Sequence, residues 1–165
     1  MKRPATIFGT LAISTAAIIG LLSSIEGDHA SDKVLIQHLE RRAADFERLV
    51  AMFQQDNRAS VVDYTHVQPD GVITVEQWDD YKALFDELEL KGGVRRSEGQ
   101  GPGTVWLVST FQGFVTHGSS KGFLYQPTNS APLYPSLDEM SENREGLGIG
   151  YRKIDEEWYL VFGRD

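Results

Sequence analysis

Between Pro4 and Ile25 the chain carries no ionisable side chain, and Lys2 and Arg3 stand immediately before that stretch. Its apolar heart runs through Ile7, Leu11, Ile18, Ile19, Leu21 and Leu22. As a helix rising about 1.5 Å per residue, Ile7 to Ile25 would reach roughly 28 Å, close to the hydrocarbon thickness of a bilayer. A cleaved export signal has a shorter apolar region, with small residues at the third and first positions before the cut. Here Leu22 takes the third place before a cut after Ser24, and Ile25 takes it before a cut after Gly27. Residues 1–27 are therefore read as a retained signal-anchor that enters the membrane through residues 4–25, with secretion after cleavage as the alternative. Basic residues on the N-terminal flank keep that end in the cytoplasm and send residues 28–165 to the other side.

The exported part has the length of one domain. No cysteine occurs in the 165 residues, so the fold cannot depend on disulfides. Asn57, Asn129 and Asn143 are followed two positions later by Ala, Ala and Glu, which leaves no N-glycosylation acceptor. A bacterial inner-membrane protein with its C-terminal domain in the periplasm fits these features. The first acid is Glu26, and the 16 basic residues less Lys2 and Arg3 leave 14 against 24 acids, a net charge of −10. Such a domain repels phosphate backbones, so no nucleic-acid partner is expected.

Hydrophobic periodicity then divides the domain. Ile36, Leu39, Ala43, Phe46, Val50 and Phe53 recur at spacings of three and four, which predicts one amphipathic helix from Asp32 to about Gln55. The seam Ile36, Leu39, Phe46, Val50 and Phe53 could serve a homodimer. Leu35, Leu49 and Met52 widen it, however, as a helix packed on its own sheet requires. A second helix is predicted over Val75 to Lys91. Thr74 and Gln77 form its capping box, Trp78, Tyr81, Phe85 and Leu88 its buried stripe, and Gly92 and Gly93 its stop.

After Gly93 the period shortens to two. Strands are expected at Val94–Glu98, Thr104–Phe114 and Gly122–Gln126, with Gly113–Gly122 as a connection. Gly148–Ile154 and Glu157–Gly163 form a closing hairpin that turns at Asp155 and Glu156. The expected fold is thus α+β: a membrane-spanning helix, then two amphipathic helices on a four- or five-stranded, mainly antiparallel sheet. The connection from residue 127 to 146 is long for a compact domain, and Ser136 with Glu139 suggests a helical turn within it.

Chemistry-bearing patterns are sparse. His66, Gln68, Asp70, Gly71, Ile73 and Gln77 fall in register with a twelve-residue calcium loop, but they supply one carboxylate where calcium needs several hard oxygens. His29, His38, His66 and His117 show no paired metal spacing, so neither a metal nor a cofactor is expected. His117, Gly118, Ser119, Ser120, Lys121 and Gly122 make a polar, glycine-flanked turn. Ser119 or Ser120 beside His117 suggests a nucleophile and base, and Lys121 an anion contact. His117, Ser119, Ser120 and Lys121, with Tyr134 from the long loop, are the candidate ligand-binding set. Arg95 and Arg96 would take opposite sides of a strand, one free to meet an acid or a partner. Without a nucleophile or metal signature, the chain reads as a membrane-anchored binding module for a protein or envelope partner. The alternative is a small-ligand-binding protein or hydrolase built from the 117–122 turn and the 127–146 loop.

Overall fold

The computed structural model describes residues 29–97, 100–101, 103–114, 117–142 and 148–164. The apolar segment 4–25 lies outside them. Among the described residues no helix is long and apolar enough to cross a membrane.

The helix expected from Asp32 to Gln55 is present as two, α1 (Asp32–Arg41) and α2 (Ala43–Gln55). Neither proline nor glycine causes the break. It falls at Arg42, whose N–H is shared between the His38 and Leu39 carbonyls and whose side chain leaves for Asp45 and Glu87. The Ser31 hydroxyl caps α1 by accepting the Val34 N–H. Both segments keep their apolar side inward: Leu39, Phe46, Val50 and Phe53 are buried in the chain's own core and Ile36 packs against it. The face that a homodimer would use is thus taken up by intrachain packing.

Two short strands, β1 (Val61–Val62) and β2 (Val67–Gln68), follow. At two residues each they are too short to leave a periodic signal. Helix α3 (Val75–Glu87) opens with the expected capping box, in which Thr74 Oγ1 accepts the Gln77 N–H and Gln77 Oε1 accepts the Thr74 N–H. It ends earlier than the glycine pair suggested. Glu89 adopts the left-handed conformation at φ 53°, the Leu90 N–H bonds the Phe85 carbonyl and the Glu89 N–H bonds that of Asp86, which is a Schellman closure. Burying both Leu88 and Leu90 drives this early turn, because a helix continued through Leu90 would point one of them outward.

The remaining strands are β3 (Val94–Arg96), β4 (Val105–Phe114), β5 (His117–Tyr125), β6 (Gly148–Lys153) and β7 (Trp158–Arg164). A five-residue helix, α4 (Asp138–Glu142), sits in the long loop, with Ser136 Oγ accepting the Asp138 N–H. Among the described residues the sheet has seven strands in the order β2-β1-β3-β4-β5-β7-β6, every neighbour antiparallel. Two more strands than the upper expectation come from the β1–β2 hairpin. The His117–Gly122 segment, expected as a turn, is the first half of β5, paired with β4 on one side and, from Ser119, with β7 on the other. A bulge between Val108 and Thr110 lies where β4 passes Gly122. There a Cβ on Gly122 would lie 2.1 Å from the Leu107 carbonyl oxygen, so only glycine passes.

The helices cover one face of this sheet, burying Leu107, Phe123, Leu160 and Phe162 against Phe46, Leu49 and Phe53. A smaller cluster of Leu124, Tyr151 and Val161, with Trp106 and Tyr159 alongside, lies on the opposite face. Strand alternation dictates this division.

Candidate functional site

On the helix side, the sheet turns from apolar to charged where β5 reaches Lys121. This side chain is fully buried, and its Nζ lies 2.7 Å from Asp32 Oδ1 and 2.7 Å from Asp138 Oδ1. The other Asp32 oxygen accepts hydrogen bonds from Arg152 at 2.8 Å, the Leu137 N–H at 2.8 Å and the Ser136 hydroxyl at 3.3 Å. Asp138 Oδ1 also takes the Asp32 N–H at 2.8 Å. Burial by itself would raise the Asp32 carboxyl. The hydrogen bonds from Lys121, Leu137 and Arg152, together with the Lys121 charge, outweigh it and hold the group below its usual range. The start of α1, strand β5, the long loop and β6 are thereby tied at one point. An ammonium held between two carboxylates is committed to structure and is not presented to a ligand.

Next to this clamp, His29 Nε2 lies 2.8 Å from Ser119 Oγ and Nδ1 lies 2.7 Å from Thr110 Oγ1, with the ring edge against Phe162. The chain is therefore docked on β4 and β5 within a few residues of the apolar segment.

The opposite face of the sheet carries a groove of about 620 Å³. Arg95 and Trp106 are half-buried in its lining, Phe111 and Ile149 are exposed, and Gln112, Ser119, Ser120 and Arg164 also line it. The Arg95 guanidinium lies over the Trp106 ring, 5.4 Å from its centroid. Both Arg95 Nε and Trp106 Nε1 are buried without a hydrogen-bond partner. Burial lowers the Arg95 pKa, partly countered by the charge of Asp63. Glycines 113, 118 and 163 leave the floor low, and Trp106 Cη2 would lie 3.7 Å from a Cβ placed on Gly163. None of the described lining residues is acidic, although the chain as a whole carries a net charge of −8.

The structure distributes the sequence-derived candidates. Lys121 points to the helix side, while its neighbour Ser120 lines the groove on the other face. Ser119 borders the groove, but its hydroxyl meets His29. Tyr134 lies at the β6 edge, where a Cβ on Gly150 would come within 3.1 Å of its ring, and its N–H bonds the Tyr151 carbonyl. The His117 side chain is outside the described residues. The four whose side chains are described, Ser119, Ser120, Lys121 and Tyr134, are not gathered at one site.

Sequence reasoning passed over Asp32, Asp138 and His29, whose partners are far apart along the chain. Arg95 left a usable signal, since adjacent arginines on a strand must take opposite faces. Arg96 turns to the helix side and donates to the Ala59 and Phe53 carbonyls. That leaves Arg95 on the groove side. Comparison with known protein families, with curated proteins and with solved structures finds no match to the chain.

Proposed function

We propose that this chain is a membrane-anchored binding module of the bacterial envelope, and that it recognises its partner or ligand through the groove on the outer face of the sheet. The observation that carries this reading is the pair of buried donors without a hydrogen-bond partner, Arg95 Nε and Trp106 Nε1, on two side chains that line a groove of mixed polar and apolar character. Neither atom touches solvent in this conformation, so a bound acceptor recovers the cost of roughly 1–3 kcal/mol only as the Arg95 and Trp106 side chains turn toward it. Residues 4–25 support the anchor by their length and lack of charge, and Lys2 with Arg3 support the orientation. His29 fixes the domain's first residues on Thr110 and Ser119, at the end of β4 and β5 that also borders the groove. An anchor ending at Ile25 would therefore hold the groove close to the bilayer.

The test is to extract the full chain from membranes in mild detergent and identify what accompanies it, comparing wild type with Phe111→Asp. A protein or small molecule retained by wild type and lost from the variant is the expected result. Equal retention by both would move recognition to another surface, and recovery of the chain from the soluble periplasmic fraction would remove the anchor.

A hydrolase is the second reading, favoured by the 2.8 Å contact between Ser119 and His29. It ranks lower because a hydroxyl, Thr110, stands on Nδ1 where a serine hydrolase places a carboxylate.

A further inference from the structure

We infer that the groove takes an apolar monocarboxylate, an acid with an aromatic or aliphatic body, with Arg95 holding the carboxylate beside the Trp106 indole. The inference rests on the reading of the groove as a binding site and names the chemistry of its ligand.

The donors and acceptors in the groove are unequal. A guanidinium and an indole N–H donate and cannot accept; Gln112 and Ser120 also line the groove and the charge of Asp63 bears on Arg95, but no carboxylate is among the described lining residues. The ligand must therefore bring acceptors, and next to a partly desolvated arginine the strongest acceptor is an anion. A planar carboxylate matches the guanidinium fork. A phosphate group is a poorer match. Anion nests for phosphate need successive backbone N–H groups in a turn conformation, whereas the floor of this groove is extended backbone of β4, β5 and β7, paired except at the bulge between Val108 and Thr110. The ligand's body is set by the walls. Trp106, Val108, Phe111 and Ile149 offer apolar surface, and at 61% and 41% exposure Phe111 and Ile149 have apolar area still to cover. A volume of about 620 Å³ lies within the usual range of small-molecule sites. Because the surrounding chain is acidic, the attraction is local to Arg95 and does not come from the overall field.

The test uses the full chain in nanodiscs of zwitterionic lipid, with 1-naphthaleneacetate and its neutral counterpart 1-naphthaleneacetamide as probes. Binding is read by titration calorimetry and by quenching of tryptophan fluorescence, with empty nanodiscs as the blank. The acid should bind about tenfold tighter than the amide, a difference of about 1.4 kcal/mol. Arg95→Gln should abolish that preference. Ile149→Glu, a change at an exposed position of the lining, should weaken the acid and spare the amide, and it carries the test should Arg95→Gln fail to fold. Lys153→Gln, at an exposed position outside the groove lining, should change neither. Equal binding of acid and amide, indifferent to Arg95→Gln and Ile149→Glu, would overturn the anionic ligand while leaving a binding groove. Failure of both probes to bind folded protein at millimolar concentration would overturn the groove reading as well. A dimer that Phe111→Asp dissociates, with no probe binding, would replace the ligand by a second copy of the chain.

Discussion

The Asp32 carboxylate and the Lys121 ammonium meet at 2.7 Å with both side chains buried. Asp32 opens the first helix and Lys121 lies in the middle of the sheet, so their pairing fixes where the domain begins relative to its core. Asp138 and Arg152 join the same pair from the long loop and from β6. The long loop is fastened at this point through Ser136, Leu137 and Asp138. On the other face, which we propose for recognition, Arg95 forms no ion pair among the described residues and feels only the charge of Asp63.

Removing one member of the pair leaves an uncompensated buried charge. Lys121→Ala should destabilise the chain by about 3–5 kcal/mol, because Asp32 keeps Arg152 but loses the ammonium that neutralises its other oxygen. Urea unfolding of the full chain in mild detergent, followed by tryptophan fluorescence, measures this. A loss under about 1 kcal/mol would mean that solvent reaches the pair and screens it.

The same pair sets an acid limit. Asp32 has a folded pKa below its ordinary value of 3.8, so near and below that value the unfolded chain binds more protons than the folded one. The stabilisation is complete above the unfolded pKa and is lost as pH falls through the folded pKa. Asp63 is shifted the same way: burial raises it, and hydrogen bonds from the Thr65 and His66 N–H groups and the Thr65 hydroxyl, with the His66 charge, overcome that. The urea midpoint should therefore drop between about pH 5 and pH 2, and Asp32→Asn should flatten the drop. An unchanged slope in the variant would assign the acid sensitivity to other groups.

Local sequence carried the parts of the fold that local physics decides. Thr74 and Gln77 are three residues apart and cap one helix, and Asp155 Oδ1 accepts the Glu157 and Trp158 N–H groups to make the expected closing turn. Long-range partners were not legible. Gly118, Ser119 and Ser120 read as turn residues because their composition is that of a turn, yet pairing with β4, and for the two serines with β7 as well, makes them strand. The stop of α3 was misplaced because Glu89, a residue with a Cβ, takes the left-handed position normally left to glycine. Nothing in the order of residues announced that His29 would reach Ser119 or that Asp32 would reach Lys121. The groove was half legible, since the alternation of Arg95 and Arg96 required one of them to face away from the helices.

Glu89 supplies a prediction of opposite sign. At φ 53° a residue with a Cβ is strained by about 1–2 kcal/mol, while glycine adds about 0.5–1 kcal/mol of unfolded-state entropy. Its side chain is exposed. Glu89→Gly should therefore stabilise the chain by up to about 1 kcal/mol. A destabilised variant in the same urea experiment would show that the Glu89 side chain contributes more than its backbone costs.

The contact of His29 with Ser119 separates the two functional readings. If it docks the start of the domain, His29→Ala and Ser119→Ala should each lower stability by about 1 kcal/mol, and the double variant should cost less than their sum. The coupling arises because either substitution alone already removes the shared hydrogen bond. If instead the pair is a nucleophile and base, the wild-type chain should hydrolyse a p-nitrophenyl ester, and each single variant should lose most of that rate while unfolding at the wild-type urea concentration. Expected here is stability coupling with no hydrolysis above the protein-free blank. Thr110 meets Nδ1 as a hydroxyl, and it contributes far less than a carboxylate to stabilising the imidazolium that general-base attack would form.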